Sequence, residues 1–149
     1  MNKKNSNIGV VIIGRNEGER LLRCLTSIPK GMPMIYVDSG STDGSVKAAA
    51  SKGAICIQID SSKPFTAARA RNLGWKKLIS LYRDIELIQF IDGDCYFDEA
   101  WFDAAHDFLS QNNHYAVCCG RRQEINPEAS IYNTLCDIEW NTPCGDAKA

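Results

Sequence analysis

Short apolar runs alternate with helix-like stretches along the whole chain, and this alternation limits the possible folds more than any other feature. The first run, residues 8–13, is continuous and rich in β-branched side chains, as is typical of a strand buried on both faces. Further strands are predicted at residues 34–37, 54–59, 85–91 and 115–119. Strands that alternate with helices predict an α/β fold, with a mostly parallel sheet and helices on both faces.

The stretches between these runs have helical spacing and recognisable ends. Asn16 can cap a first helix that Pro29 ends, and residues 43–51 predict a second helix closed by Gly53. Further helices are predicted at residues 66–82, from Asp98 onward, and at residues 126–135. No repeat or linker separates these elements, so we predict a single domain over residues 1–149.

Composition excludes several classes of protein. The formal net charge is −1 and the basic residues are scattered, which argues against a nucleic-acid partner. No apolar run approaches the roughly 20 residues of a membrane span, and the polar N-terminus does not resemble a signal peptide. The 7 cysteines contain no CxxC pair, which favours reduced, structural thiols. We expect a cytoplasmic protein without a transmembrane segment, and work at the inner face of the membrane stays open.

Three polar segments directly follow predicted strands, at residues 14–17, 38–40 and 92–94. Right-handed crossovers bring the carboxyl ends of parallel strands to one edge of the sheet. Ligands bind at that edge in open α/β sheets. The three segments are therefore expected to form one site, although they lie far apart in the sequence.

The sharpest chemical signal is the segment Asp92-Gly93-Asp94. Two carboxylates at a strand end suit Mg²⁺ or Mn²⁺ shared with a diphosphate, and the glycine permits a tight turn and a close ligand approach. The alternative is an ordinary turn, because Asp-Gly is common in turns. An EF-hand is poorly supported, because Tyr96 and Phe97 occupy a ligand position and the position of the turn glycine.

Other polar residues have two interpretations each. The carboxylate of Asp38 can accept hydrogen bonds from a ribose or a base edge, or it can form an Asx turn with the residues that follow. Arg69 and Arg71 lie near a helix start, where arginine can bind phosphate, but they point in different directions on a helix. His106 and His114 have no partner at metal-ligand spacing and are interpreted as structural or surface residues.

The loop at residues 14–18 lacks two common phosphate-binding patterns. It is neither GxGxxG nor GxxxxGK[ST], so it supports neither a dinucleotide fold nor a P-loop. No GxSxG or Cys/His arrangement suggests acyl chemistry. The best role for this loop is to line a bound nucleotide.

The ordered set of motifs resembles the family 2 glycosyltransferases, which have the GT-A fold. That family shows an apolar strand with a loop ending in N-E, a strand ending V-D-[DS]-G-S-T-D, an A-R-N helix start, and an apolar strand followed by D-x-D. The matching segments here are residues 10–17, 37–43, 70–72 and 90–94. Each motif is weak alone, but their order and spacing make the set specific.

The resemblance implies a nucleotide-diphospho-sugar donor, a Mn²⁺ or Mg²⁺ cofactor, and sugar transfer to an acceptor hydroxyl with inversion. By resemblance, the residues expected to contact the nucleotide-sugar are Gly14, Arg15, Asn16, Glu17, Asp38, Ser39, Gly40, Arg71, Asp92 and Gly93. The metal ligands implied are Asp94, as the main one, and Asp92. The sequence does not identify the acceptor; the candidates are a glycan, a lipid-linked molecule and a small molecule.

The chain departs from the family pattern in three places. Ser39 stands where the common pattern has a second Asp that often reads the base, and the proline frequent in the first loop is absent. The family places its general base and acceptor site beyond the fifth strand, so we expect the catalytic base to lie beyond residue 149 and the domain to be incomplete. Two alternatives stay open: a nucleotide-sugar-binding module without transfer, and a sugar nucleotidyltransferase, although the latter's G-x-G-T-R loop is missing.

Overall fold

The computed structural model describes residues 7–60, 62 and 64–145. The chain divides into two compact units, Met1–His106 and Asp107–Ala149. The prediction of a single nucleotide-sugar-binding domain over residues 1–149 stays a prediction.

The first unit is built on a four-stranded parallel sheet, as the sequence predicts. Its strands are β1 (Ile8–Gly14), β2 (Met34–Asp38), β3 (Ile55–Gln58) and β4 (Leu87–Asp92), in the order β3-β2-β1-β4. In the register, Gly14 is the partner of Asp38, and Ile13 is the partner of Asp92. This register places the carboxyl ends of β1, β2 and β4, and the polar segments that follow them, at one edge of the sheet.

Alternate residues of β1 support two separate hydrophobic layers. Val10 and Ile12 face one layer, which includes side chains from α1 (Glu19–Ser27), α2 (Ser45–Ser51) and Phe102 near the start of α4 (Trp101–Gln111). Val11 and Ile13 face the other layer, beneath α3 (Ala67–Leu81). The sheet is therefore covered on both faces, and the fold is a GT-A-like α/β fold of the Rossmann type.

Helix α3 approaches the sheet closely because it carries Gly74 at the contact. A Cβ atom at this position would lie 2.3 Å from Cγ1 of Val11 and 3.1 Å from Cγ2 of Val37. Any side chain would force the helix away from the strands. This contact holds the N-terminal turn of α3 at a set distance from the carboxyl ends of β1 and β2.

The first helix begins later than the sequence predicts. Asn16 does not cap it; α1 starts at Glu19 with Gly18 as the N-cap residue, and no side chain of the loop caps it. Asn16 has a positive φ of 56°, and its side chain bonds to another loop. The prediction was wrong because a tertiary partner competes for the asparagine side chain.

The second unit differs most from the prediction. Residues 115–119 form no strand, although their apolar composition favours one, and Val117 is 70% exposed. Composition alone does not make a strand, because a strand requires a hydrogen-bonded neighbour. The predicted helix at residues 126–135 is a 3-10 helix, Pro127–Ala129, followed by α5 (Ile131–Trp140). Extended backbone at Ser130 separates them, and the Ser130 hydroxyl accepts a hydrogen bond from the Asn133 N–H at 3.2 Å.

Candidate functional site

An open cleft of about 320 Å³ lies at the carboxyl ends of the strands. This volume is at the lower end of the range for small-molecule sites, about 300–1,000 Å³. Its walls are Ile13, Gly14, Glu17, Ser39, Phe65, Thr66, Ala67, Ala70, Asp92 and Asp94. The strand-end cleft thus brings together residues from all three polar segments that the sequence singles out.

One end of the cleft is the β4 turn, residues 92–95. The Gly93 N–H donates to the Ile13 carbonyl at 2.8 Å, and the Cys95 N–H donates to the Asp92 carbonyl at 3.0 Å. A Cβ atom at Gly93 would lie 3.3 Å from the Ile13 oxygen, so glycine allows the turn to sit tightly against β1. Gly93 is buried, whereas Asp92 and Asp94 are exposed and line the cleft.

The two arginines near the start of α3 have different surroundings. Arg71 forms an ion pair with Asp92, with 2.8 Å between Nη2 and Oδ1. Arg69 instead donates to the carbonyls of Asp60 and Pro64, at 3.2 and 3.3 Å. Arg71 therefore contacts a carboxylate of the β4 turn, whereas the hydrogen bonds of Arg69 go to backbone carbonyls before α3.

The other end of the cleft is the β2 turn, residues 38–43. Asp38 is fully buried, and its Oδ2 accepts hydrogen bonds from the N–H groups of Gly40 at 2.9 Å and Ser41 at 2.8 Å. Its Oδ1 accepts from the hydroxyls of Ser41 and, at 3.2 Å, Tyr36. Burial raises the pKa of Tyr36 well above its usual range, so the phenol stays a donor.

These bonds form the Asx turn that was one of the two interpretations of Asp38. Four donors use its carboxylate, and the residue does not line the cleft. Ser39, the next residue, does line it, and the Ser39 N–H donates to the Gly14 carbonyl at 3.0 Å. Gly40 has a φ of 92°, which favours glycine. Contact of Asp38 or Gly40 with a nucleotide stays a prediction.

The loop after β1 is tied to the β2 turn. The Asn16 N–H donates to the Ser41 hydroxyl at 2.9 Å, and the Asn16 side-chain oxygen accepts from the Thr42 N–H at 2.8 Å. The Gly18 N–H donates to Asp43 at 3.0 Å, so the β2 turn also binds the residue that precedes α1. Bonds from the hydroxyl and N–H of Ser45 lower the pKa of Asp43.

Glu17 lies between the two turns. Its Cγ is in the space beside both Gly14 and Gly93, where a Cβ atom would approach to 3.0 and 3.2 Å respectively. Its Oε2 is buried and lies 2.8 Å from Nη2 of Arg20, in an ion pair whose geometry is not that of a hydrogen bond. Its Oε1 accepts a long 3.5 Å bond from the Arg15 N–H. The side chain therefore fills the cleft floor and joins the first loop to α1.

Sequence reasoning missed one wall of the cleft. Phe65 and the first residues of α3 line it, and Thr66 caps the helix by accepting from the Arg69 N–H at 3.1 Å. The Phe65 ring is 40% exposed, and the Arg15 guanidinium lies 5.8 Å from its centroid. The signal available in the sequence was an aromatic residue directly before the helix predicted at residues 66–82.

Comparison with known families agrees with this geometry. The sequence matches the family described as Glycosyl transferase family 2 over residues 9–145. The chain belongs to this family. Among curated protein sequences none matches it. Family 2 membership implies a nucleotide-sugar donor, and the cleft lies at the edge of the sheet where α/β folds bind ligands.

The carboxylates of this family 2 domain suit a divalent metal ion that is shared with a ligand. Asp92 and Asp94 supply exposed oxygen atoms on the same cleft wall. In the described part of the chain, no group of three or more His, Cys, Asp or Glu side chains is placed to enclose a metal ion. Mg²⁺ is commonly held by one or two carboxylates together with substrate phosphates and water, and this donor set fits that arrangement.

No helix within residues 7–60, 62 and 64–145 combines the length and the apolar character needed to span a bilayer.

Proposed function

We propose that the strand-end cleft binds a nucleotide-diphospho-sugar together with Mn²⁺ or Mg²⁺, and that the protein transfers the sugar to an acceptor hydroxyl with inversion. The observation that carries this proposal is that Asp92 and Asp94 line the cleft together and that Arg71 is paired with Asp92. Two acidic side chains beside a cation are suited to a metal-bound diphosphate, because both charges of the ligand complex find a partner.

Asp94 is the main metal ligand in this proposal, and Asp92 assists it. Asp92 is already paired with Arg71 through Oδ1, which leaves Oδ2 for an ion or a sugar hydroxyl. Arg71 is half-exposed and can turn from Asp92 to a phosphate oxygen. When bound, the divalent ion would neutralise the charge that develops on the departing diphosphate.

The N-terminal turn of α3 adds to this electrostatic environment. Thr66 and Ala67 line the cleft, so the helix start faces the same space as the carboxylates. The N-terminus of a helix carries a partial positive charge, which favours an anionic group. The proposed position of the diphosphate is therefore between Arg71, the β4 turn and the start of α3.

A second candidate is a nucleotide-sugar-binding module that performs no transfer. Of the described residues that line the cleft, the acidic ones are Glu17, Asp92 and Asp94. Glu17 is paired with Arg20, and the two aspartates are assigned to the metal ion. Transfer therefore needs a general base from a segment other than these cleft walls.

We also propose that the protein works in the cytoplasm. The seven cysteines all lie in the described part of the chain and form no disulfide. Reduced thiols are the usual state of cytosolic proteins.

Thermal unfolding in the presence of ligands tests the donor site. UDP, GDP, CDP and dTDP are each added with and without Mn²⁺, because a ligand that binds only the folded state raises Tm. We expect a Tm increase for at least one nucleotide, dependent on Mn²⁺ and lost in Asp94→Asn. The control is Glu99→Gln, which removes an exposed carboxylate outside the cleft walls and should respond like the unmodified protein.

Two results would contradict the proposal. One is a cooperative unfolding transition that no nucleotide shifts. The other is an unchanged Mn²⁺-dependent shift in Asp94→Asn. Hydrolysis of the matching nucleotide-sugar then separates the two candidates, because a binding module consumes no donor.

A further inference from the structure

The Phe65 ring is an exposed aromatic surface at the end of the cleft opposite the β4 turn. It lines the cleft and is 40% exposed. A Cβ atom at Gly40 would lie 3.9 Å from Cζ of Phe65, so the ring reaches over the β2 turn. The other cleft residue of the β2 turn is Ser39, which leaves this end of the cleft with an aromatic and a small polar wall.

The chain holds Phe65 in this position from both sides. Thr66 starts α3 with a side-chain cap, which orients the residue that precedes it. Arg69 donates to the carbonyls of Asp60 and Pro64 and so ties the segment before Phe65 to the helix. The ring is therefore presented by an anchored helix start.

The strand order sets the distance between the two ends of the cleft. Strands β2 and β4 flank β1, and neighbouring strands lie about 4.8 Å apart, so the β2 and β4 turns are separated by roughly 10 Å. The carboxylates and Arg71 are at the β4 end, and the aromatic ring is at the β2 end. The cleft thus has an end suited to charge and an end suited to a flat apolar group.

We propose that Phe65 is the stacking surface for the base of the nucleotide, with Arg15 as a movable cover on the ring. The inference rests on the proposed function. A nucleoside diphosphate carries its charge at one end and its flat aromatic base at the other, which matches the polarity of the cleft. Stacking on an aromatic side chain tolerates any base, because every base has a π-face.

Arg15 has the geometry of such a cover. Its guanidinium lies 5.8 Å from the Phe65 centroid, within the range of a cation–π contact, and its side chain is exposed. A planar guanidinium can stack on a base as well as on phenylalanine. A bound base can therefore exchange the Arg15–Phe65 contact for contacts with both side chains.

Calorimetric titration in the presence of Mn²⁺ tests this inference. The probes are the nucleoside diphosphate that gives the largest Tm shift, and inorganic pyrophosphate, which has no base. We expect Phe65→Ala to weaken nucleotide binding by about 5-fold to 100-fold and to change pyrophosphate binding by less than about twofold. Arg15→Ala should weaken nucleotide binding by a smaller factor than Phe65→Ala, because the ring remains.

Two further variants control for loss of folding. Phe90→Ala removes a ring of similar exposure, 38%, that does not line the cleft, and it should bind the nucleotide normally. Phe65→Trp keeps a stacking surface, so it should retain affinity and its added fluorescence should be quenched when the nucleotide binds.

The outcomes separate the two proposals. If the unmodified protein binds the nucleotide and Phe65→Ala binds it equally well, the stacking role is wrong and the donor site stands. Bound nucleotide without quenching in Phe65→Trp, or an equal loss of pyrophosphate and nucleotide binding in Phe65→Ala, also overturns the stacking role. If the unmodified protein binds neither probe, the proposed function fails and this inference fails with it.

Discussion

The β2 turn and the β4 turn place aspartates at the same edge of the sheet, but the carboxylates differ in burial and in their hydrogen-bond partners. Asp38 in the β2 turn is fully buried, and four donors use its oxygens. Asp92 and Asp94 in the β4 turn are exposed and line the cleft, and Asp92 forms an ion pair with Arg71. The first carboxylate organises the protein, and the second pair is available to a ligand.

This difference shows that residue type and position at a strand end do not decide the role of an aspartate. The residues after the strand decide it. In the β2 turn, Gly40 and Ser41 direct their N–H groups back to Asp38. In the β4 turn, the Gly93 N–H donates to the Ile13 carbonyl of β1 and not to a neighbouring carboxylate.

The largest effect expected from the difference between the two turns is on the free energy of unfolding. Asp38→Ala leaves two part-buried N–H groups, the Ser41 hydroxyl and the buried Tyr36 hydroxyl without their acceptor, so we expect it to lower the free energy of unfolding by about 3 kcal/mol. Asp94→Ala should change it by less than about 0.5 kcal/mol, because exposed substitutions are nearly neutral. Urea unfolding measures both, and equal losses would remove the distinction between the two turns.

The next effect is on ligand binding at the β4 turn. Arg71→Met should weaken Mn²⁺-dependent nucleotide binding by at least about tenfold, roughly 1.4 kcal/mol, because it removes the cation beside the proposed diphosphate. Stability should change by less than about 1 kcal/mol, since the ion pair with Asp92 is exposed. Arg83→Met, which removes an exposed arginine outside the cleft walls, is the control. Unchanged nucleotide affinity in Arg71→Met would contradict the assignment.

A smaller effect concerns the connection between the first loop and the β2 turn. Asn16 combines a positive φ with a hydrogen bond to Thr42, so Asn16→Ala should lower the free energy of unfolding by about 1 kcal/mol. Asn16→Gly loses the hydrogen bond but tolerates the φ, and its loss should be smaller. A larger loss in the glycine variant would show that the backbone conformation of Asn16 matters less than the structure indicates.

The smallest effect is a dependence of stability on pH. The pKa of Asp43 is lowered from 3.8 by its bonds to Ser45, so its stabilising contribution is present above its ordinary pKa and is lost as the pH falls through the lower folded value. Asp43→Asn has no such group to titrate. It should therefore lose less stability than the unmodified protein between about pH 5 and pH 2, measured by urea unfolding at each pH. Parallel losses would show that other carboxylates account for the acid response.

Much of the fold was predictable because its signals are local. The β-branched run at residues 8–13, the helical spacing of residues 66–82 and the turn glycines are visible in the sequence and occur near the predicted positions. The prediction of a strand at residues 115–119 was wrong because these residues do not pair with a neighbouring strand, and composition does not report such pairing. The part of the site that directly follows the parallel strands was predictable from the sequence. Phe65 was missed because its place in the cleft depends on its contact with the β2 turn, which lies far away in the sequence.

The sequence by itself determined the parallel α/β sheet, the family and the set of loops that meet at the strand ends, because hydrophobic periodicity and motif order are properties of the chain alone. Only the tertiary structure decided which polar groups are hydrogen-bonded within the protein and which are available to a ligand. Asn16 is hydrogen-bonded to Thr42, Asp43 accepts from the Gly18 N–H of another loop, and the carboxylate of Asp38 is hydrogen-bonded within its own turn. Such choices depend on burial and on the competition among donors for each oxygen, and both exist only once the chain has folded.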